Sequence, residues 1–185
     1  MSNKSELLAE EIETKKIELL QDRINNNSKL INDLTNKLVA DYCKQLDNYV
    51  RFVQRLLQDN NHPPTAIELD DIVMNLPVLL YFAGEAQENL GIKTDVAKAV
   101  KQEKYNEVYK ELQKGTISDK TSKAELAVQS EEVTRIIYDR AYKIVKEKMN
   151  AAYELLSSVK KVITRRISEN QLSNIDEGRF SNGKF

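Results

Sequence analysis

Several residue types are scarce in this sequence, and each shortage excludes a class of structure or chemistry. The chain of 185 residues has one cysteine, one histidine, no tryptophan, five glycines and three prolines. A lone cysteine cannot form a disulfide within the chain, which favours a reducing compartment. One histidine beside one cysteine cannot supply a Cys/His zinc site, a Ser-His-Asp triad or a Cys-His dyad. We therefore expect a protein that is not an enzyme and that uses no metal or other cofactor.

Long apolar runs are also missing. The stretch from Ile72 to Ala83 comes closest, and Asn75 and Pro77 interrupt it. No segment therefore predicts a membrane span. The first residues are charged from the outset and lack the apolar core of a signal peptide. We expect a cytoplasmic protein with no membrane partner.

The residues that are abundant favour helices. Hydrophobic residues make up 41% of the chain, charged residues 31% and aromatic residues only 6%. With so few glycines and prolines, this composition suits long amphipathic helices better than sheets or disorder. It predicts an all-α fold, a bundle of long helices with a coiled-coil-like C-terminal helix, assembled as an oligomer.

The N-terminal two thirds of the chain divides into two predicted parts. Residues 1–60 form a helical hairpin, because the run of asparagine and serine at 25–28 competes for backbone hydrogen bonds and favours a break. Residues 65–115 form a helical lobe that begins with a capping box at Thr65 to Glu68. Pro77 predicts a kink in its first helix, and Gly91 predicts the end of that helix. A second, shorter helix then begins at Thr94.

The C-terminal third carries the strongest helical signal. Ser122 to Glu125 matches a capping box, and neither glycine nor proline occurs between Gly115 and Gly178. Residues 118–172 are therefore predicted to form a long amphipathic basic helix, and its stretch from Ser122 to Leu172 is on the order of 75 Å if it is unbroken. Residues 173–185 are polar and without periodicity, which predicts a flexible tail.

One apolar stripe runs along this long helix with alternating spacings of four and three residues, as in a coiled coil. The stripe is too long for a compact globule of about 40 Å to cover, so we expect part of it to pack against another copy. The predicted oligomer interface consists of Tyr142, Val145, Met149, Ala152, Leu156, Val159 and Ile163.

Charge is distributed unevenly along the chain. Residues 135–168 contain nine basic and three acidic residues, a net charge of +6, so the remainder of a chain of net charge −1 carries −7. A basic helix of this kind suits nucleic-acid phosphates, or an acidic surface on a protein partner or a neighbouring subunit. The candidate nucleic-acid-binding residues are Lys143, Lys146, Lys160, Lys161, Arg165 and Arg166.

Pairs of carboxylates offer the one alternative that involves catalysis. Glu68 with Asp71, and Glu85 with Glu88, are each three residues apart and would share a helix face, as in divalent-metal sites of all-α nucleotide pyrophosphohydrolases. The order of the acids is the reverse of that family's pattern. Acids near a helix start also favour the positive end of the helix dipole. We therefore prefer a capping role for Glu68, with no metal site.

The stretch from Lys123 to Ile167 resembles the C-terminal helical part of UvsY-type recombination mediators of tailed phages. The similarity comprises a Lys-x-Glu-like helix start, an alternating Ser/Ala and acidic patch, a helix rich in Tyr and Leu, and a basic end containing isoleucine. The resemblance implies a small helical, ring-forming protein that binds single-stranded DNA and helps to load a RecA-like recombinase.

The resemblance also implies that the six basic residues contact phosphates, while Tyr138, Tyr142 and Tyr153 either pack in the core or stack on bases. The alternative function is that of a helical structural or regulatory protein, such as a virion component, a chaperone or an inhibitor of a host protein. Such a protein would act through contacts with an acidic protein partner.

Overall fold

Four helices make up the part of the chain that the computed structural model describes. It covers residues 2–59, 61–112 and 114–181, with side chains described for 15–59, 61–112 and 114–172. The helices are α1 (Ser2–Gln58), α2 (Ala66–Glu111), α3 (Ile117–Ala127) and α4 (Gln129–Ser181), and no strand occurs within these ranges. The all-α prediction is confirmed. In the described ranges, no helix combines the length and apolar character needed to cross a membrane.

Helix α1 continues through the asparagine-rich segment, so the predicted break at 25–28 and the hairpin over 1–60 are wrong. Asparagine and serine each reduce helix stability by only about 0.5 kcal/mol relative to alanine. A break would instead leave four N–H and four C=O groups without helical partners. Local propensity therefore does not end the helix here.

Helix α2 begins where the sequence predicts. The Thr65 backbone N–H donates to Glu68 Oε2 over 2.7 Å, and the Glu68 N–H donates to Thr65 Oγ1 over 3.2 Å. The helix then passes through Pro77 and Gly91 to Glu111, so the predicted division of 65–115 into two helices is wrong. One glycine inside a long helix costs about 1 kcal/mol, which packing elsewhere along the helix offsets.

The predicted helix over 118–172 is divided in two. Thr116 and Asp119 form the capping box at the start of helix α3. The sequence predicts this box at Ser122 to Glu125, and that position is wrong. Helix α3 ends at Ala127, and Val128 separates it from α4. Gly115 lies in the connection before α3. Its φ of 125° is a backbone conformation that favours glycine. Helix α4 runs on to Ser181, so 173–181 are helical instead of forming the predicted tail, and 182–185 lie outside the described residues.

The long helices contribute to two compact units. Unit 1 comprises residues 1–38 and 91–141, and unit 2 comprises residues 39–90 and 142–185. Each unit is built from segments of α1, α2 and α4, and unit 1 also contains α3.

Unit 2 has a core of interlocking aliphatic side chains from all three of its helical segments. From α1 and α2 the buried residues include Cys43, Leu46, Val53, Leu69, Ile72, Leu76, Leu80 and Leu90. From α4 they are Val145, Met149, Ala152, Leu156 and Val159. These five α4 residues belong to the predicted oligomer interface, and that prediction is corrected, because their side chains pack inside the chain. Tyr142 and Ile163 are half-buried beside them.

Polar contacts at the edge of this core join its helices. Lys148 on α4 donates to both carboxylate oxygens of Asp47 on α1, over 2.6 and 2.7 Å. The Tyr49 hydroxyl donates to the Asp71 carbonyl over 3.3 Å, which links α1 to α2. Burial raises the pKa of the Cys43 thiol, with a smaller contribution from Asp47. The thiol is therefore held in its neutral form.

Unit 1 depends more on ion pairs. Glu132 on α4 accepts two hydrogen bonds from the Arg135 guanidinium, over 2.8 and 2.9 Å, and pairs with Lys101 on α2 over 3.0 Å. Its neighbour Glu131 pairs with Lys104 over 2.6 Å. Hydrogen bonds from Arg135 lower the pKa of Glu132 to about 2, with a further contribution from Lys101. These contacts tie α2 to α4.

Substituting Glu132 by glutamine should reduce the pH dependence of stability. Its folded pKa is about 2 against an ordinary value of 4.5. The ionised carboxylate therefore stabilises the fold above pH 4.5, and this contribution is lost as the pH falls towards 2. About a third of the side chain is exposed, so we expect a loss of only about 1 kcal/mol at neutral pH. Urea unfolding followed by circular dichroism at neutral and acid pH measures it.

The exposed Glu125 on α3 provides the matched control. Glu125→Gln should leave the free energy of unfolding nearly unchanged at every pH. If Glu132→Gln instead loses the same stability at neutral pH and near pH 2, the effect arises from packing and not from the ion pairs.

Candidate nucleic-acid interface

The outer surface of α4 in unit 2 carries four of the six predicted nucleic-acid-binding residues. It lies beside the stripe of α4 residues that fills the core of unit 2. We call this surface the lysine face, and it consists of Lys143, Lys146, Asn150, Tyr153, Ser157, Lys160 and Lys161. All seven residues are exposed.

Lys146, Tyr153 and Lys160 form the central row of the lysine face. They are seven residues apart, so on an α-helix they lie almost in line, about 10 Å from one to the next. Half of the Tyr153 side chain, 52%, is exposed. Among the described residues, neither lysine of the row has an ion pair. The row therefore presents an aromatic ring between two solvated ammonium groups.

Lys143 and Lys161 form a second line on the same face. They are eighteen residues apart, about five helical turns, and so project in nearly the same direction. Between the two ends of the face, Asn150 and Ser157 are uncharged. The sequence prediction missed these two residues. Their positions at three- and four-residue intervals from Lys146, Tyr153 and Lys160 are the signal that identifies them.

Arg165 and Arg166 are held differently from the lysines. Helical periodicity places Arg166 on the other side of the buried α4 stripe, whereas Arg165 lies one turn after Lys161, next to the end of the lysine face. The Arg165 Nε donates to Glu169 Oε1 over 2.7 Å, which raises the pKa of the guanidinium. Arg166 is half-buried and donates to the Pro64 carbonyl, in the connection that precedes α2. Both arginines have partners within unit 2, unlike the lysines of the central row.

The three tyrosines named with the resemblance have different environments. Tyr138 is half-buried in unit 1, where the Lys93 ammonium lies 5.8 Å from its ring centroid. Tyr142 is half-buried in unit 2. Tyr153 alone of the three has its ring mostly open to solvent. A stacking role is therefore sterically open to Tyr153, whereas Tyr138 and Tyr142 are packing residues.

Two of the four acidic residues considered as metal ligands, Glu68 and Glu85, make other contacts. Glu68 accepts the capping hydrogen bonds from Thr65, which lower the pKa of its carboxyl. Glu85 hydrogen-bonds the Tyr81 hydroxyl and thereby raises the pKa of that phenol. Among the side chains that the structure describes, no group of three or more His, Cys, Asp or Glu is placed to hold a metal ion.

The lysine face therefore has the chemistry of a surface for a flexible polyanion. The lysines lie in two pairs about 20 Å apart along the helix, one on each side of Tyr153, where each pair can meet phosphates while the exposed ring stacks on an unpaired base. Neither feature selects a sequence, because every nucleotide has a phosphate and every base has a flat surface. Comparisons of the chain with protein-family models, with curated proteins and with solved structures find no match.

Proposed function

We propose that this protein binds single-stranded DNA through the lysine face and acts as a non-enzymatic accessory to a recombinase. The observation that carries the proposal is the central row of two unpaired lysines with the exposed Tyr153 between them. The similarity of residues 123–167 to recombination mediators of phages supports the choice of single-stranded DNA and of a recombinase partner.

Single strands suit this surface better than duplexes do. A stacking contact needs an unpaired base, and Tyr153 lies on a convex helix surface where such a base is free to approach. Phosphates on either side of that base then lie within reach of Lys146 and Lys160 on their long side chains. Lys143 and Lys161 extend the positive surface at each end. Binding by these groups requires no rearrangement of the core of unit 2.

Fluorescence anisotropy with a labelled single-stranded oligonucleotide tests the proposal. Each phosphate contact on a single strand contributes about 0.7 to the slope of log affinity against log salt. Four lysines therefore predict a slope near 3, or roughly a 50-fold loss of affinity for a fourfold rise in salt. Oligonucleotides of different sequence should bind about equally. An affinity that is insensitive to salt would contradict the proposal.

The ring of Tyr153 is tested in the same assay. Tyr153→Ala should weaken binding about 10-fold, which is the usual effect of losing one stacked base. Tyr153→Phe retains the flat ring and should bind like the wild type. Equal losses in the two variants would assign the effect to the hydroxyl, and no loss in either would remove stacking from the mechanism.

A second candidate function rests on the charge of the lysine face alone. The same ammonium groups suit an acidic protein surface, in which case the chain is a structural or regulatory protein. Reversing the charge of Lys160 and Lys161, whose side chains form no ion pair among the described residues, separates the two functions. Loss of DNA binding with assembly retained supports the first function, and loss of protein contacts alone supports the second.

A further inference from the structure

Unit 1 has very little core for its size. Among its described side chains, the buried ones are Thr35, Ala124, Val128 and Ala141, and none is larger than valine. The Thr35 hydroxyl is buried without a hydrogen-bond partner. The stability of a small domain depends on the fraction of its apolar surface that it buries. Four small buried side chains contribute little to that stability. The described side chains of unit 1 therefore supply little of the apolar contact that a stable core needs.

Helix α1 offers one apolar surface of the kind that is missing. Ile17, Leu20, Ile24, Ile31 and Leu34, which we call the α1 stripe, share one face of the helix. Four of them, all except Ile31, are exposed by 42–58%. Lys16 and Arg23 border the stripe and are exposed. The stripe is therefore a ridge of aliphatic side chains with a cationic edge.

Helices α2 and α4 form a groove in the same unit. It encloses about 420 Å³ and is lined by Ile92, Val96, Val100, Thr134 and Tyr138, among others. Ile92, Val96 and Val100 form a row along α2 and are about half exposed. Glu103 and Glu107 continue this row along α2 and are exposed. The groove is therefore apolar at its centre and anionic at one end.

We propose that the α1 stripe of one copy of this chain packs into the unit 1 groove of a second copy. The dimensions match, because Ile17 to Ile24 spans about 10 Å of helix and Ile92 to Val100 about 12 Å. In an antiparallel arrangement, Ile24, Leu20 and Ile17 face Ile92, Val96 and Val100. Lys16 then comes opposite Glu103, so the charges are complementary.

A second copy is the partner that these surfaces fit. Each chain carries one ridge and one groove, so two chains that exchange them bury both surfaces of each, as a closed symmetric pair requires. Two α1 stripes facing each other would instead bring their cationic edges together. Packing a helix into an apolar groove is also an established mode of recognition.

Light scattering on mixtures of two full-length variants tests the proposal. Leu20→Asp disables the ridge and Val96→Asp disables the groove, so each variant alone should be a monomer where the wild type is at least a dimer. A mixture of the two should regain the mass of a pair, since the intact groove of the first accepts the intact stripe of the second. Ile117→Asp, at an apolar residue outside both surfaces that is 77% exposed, should assemble like the wild type.

Three outcomes would overturn the proposal: a monomeric wild type, variants that assemble alone, or a mixture that remains monomeric. A contact between two α1 stripes predicts no effect of Val96→Asp and no recovery on mixing.

Circular dichroism verifies that each variant remains helical. If Val96→Asp loses its helices, the pair Lys16→Glu and Glu103→Lys replaces it: each alone should weaken assembly about 10-fold, and the combination should restore it. These results are independent of DNA binding, which is measured separately.

Discussion

Replacing Val145 by aspartate should unfold unit 2. Val145 is fully buried on α4, so the substitution places a carboxylate in an aliphatic core without a partner. We expect the free energy of unfolding to fall by about 4 kcal/mol or more, which is a large part of the stability of a typical domain. Urea unfolding followed by circular dichroism measures the loss.

Asn150→Asp is the matched control, because it adds the same charge at an exposed residue of the same helix. It should change stability by less than about 0.5 kcal/mol. The pair of variants separates two interpretations of the α4 stripe. If the stripe were a subunit interface, Val145→Asp would abolish assembly and leave the folded monomer intact. That result would contradict the assignment of Val145 to the core.

Reversing the charge of Lys146 and Lys160 together should abolish most single-stranded DNA binding. The double variant loses two phosphate contacts and places two carboxylates in their positions, next to the strand. We expect a loss of affinity of roughly 100-fold at low salt, and a shallower salt dependence. Anisotropy with the labelled oligonucleotide used for the wild type gives both quantities.

The control exchanges the partners of an ion pair outside the central row. Arg165→Glu with Glu169→Arg keeps the net charge and retains an ion pair at these two positions. Binding should stay within about threefold of the wild type, since the exchange leaves the central row and the local net charge unchanged. If the two double variants lose affinity equally, the whole basic segment binds DNA diffusely and the central row has no special role.

The helical character of the chain follows from local chemistry and was predictable. Scarce glycine and proline, abundant charge and apolar residues at helical intervals favour long helices whatever they pack against. The start of α2 was also predictable, because Thr65 and Glu68 satisfy each other's backbone within a single turn. Signals that act over three or four residues need no tertiary partner.

The ends of the other helices were not predictable in this way. The segment at 25–28 and Gly91 are weak helix formers, yet both lie inside helices. Conversely, Ser122 to Glu125 has the pattern of a capping box, but Thr116 and Asp119 cap the helix. Each local preference is worth about 1 kcal/mol or less, and the packing of a whole helix outweighs it.

The candidate site was predicted in part. The sequence identified the basic helix and six of the nine cationic side chains in residues 135–168 as candidates, and it identified Tyr153 as one of three tyrosines. It did not show that Arg165 and Arg166 are used in contacts with Glu169 and Pro64. Whether a charge is solvated or paired depends on residues as far away as Pro64, about a hundred positions along the chain.

The sequence by itself determined the helical character of the chain, the apolar stripe of α4 and the charge of its flank, because helical periodicity alone places residues on faces. Only the tertiary structure decided what covers each face. It placed Val145 and its neighbours on α4 in the core of unit 2 and left the stripe on α1 exposed. The physical reason is that the hydrophobic effect has no direction, so an apolar stripe specifies that it will be buried but not by which partner.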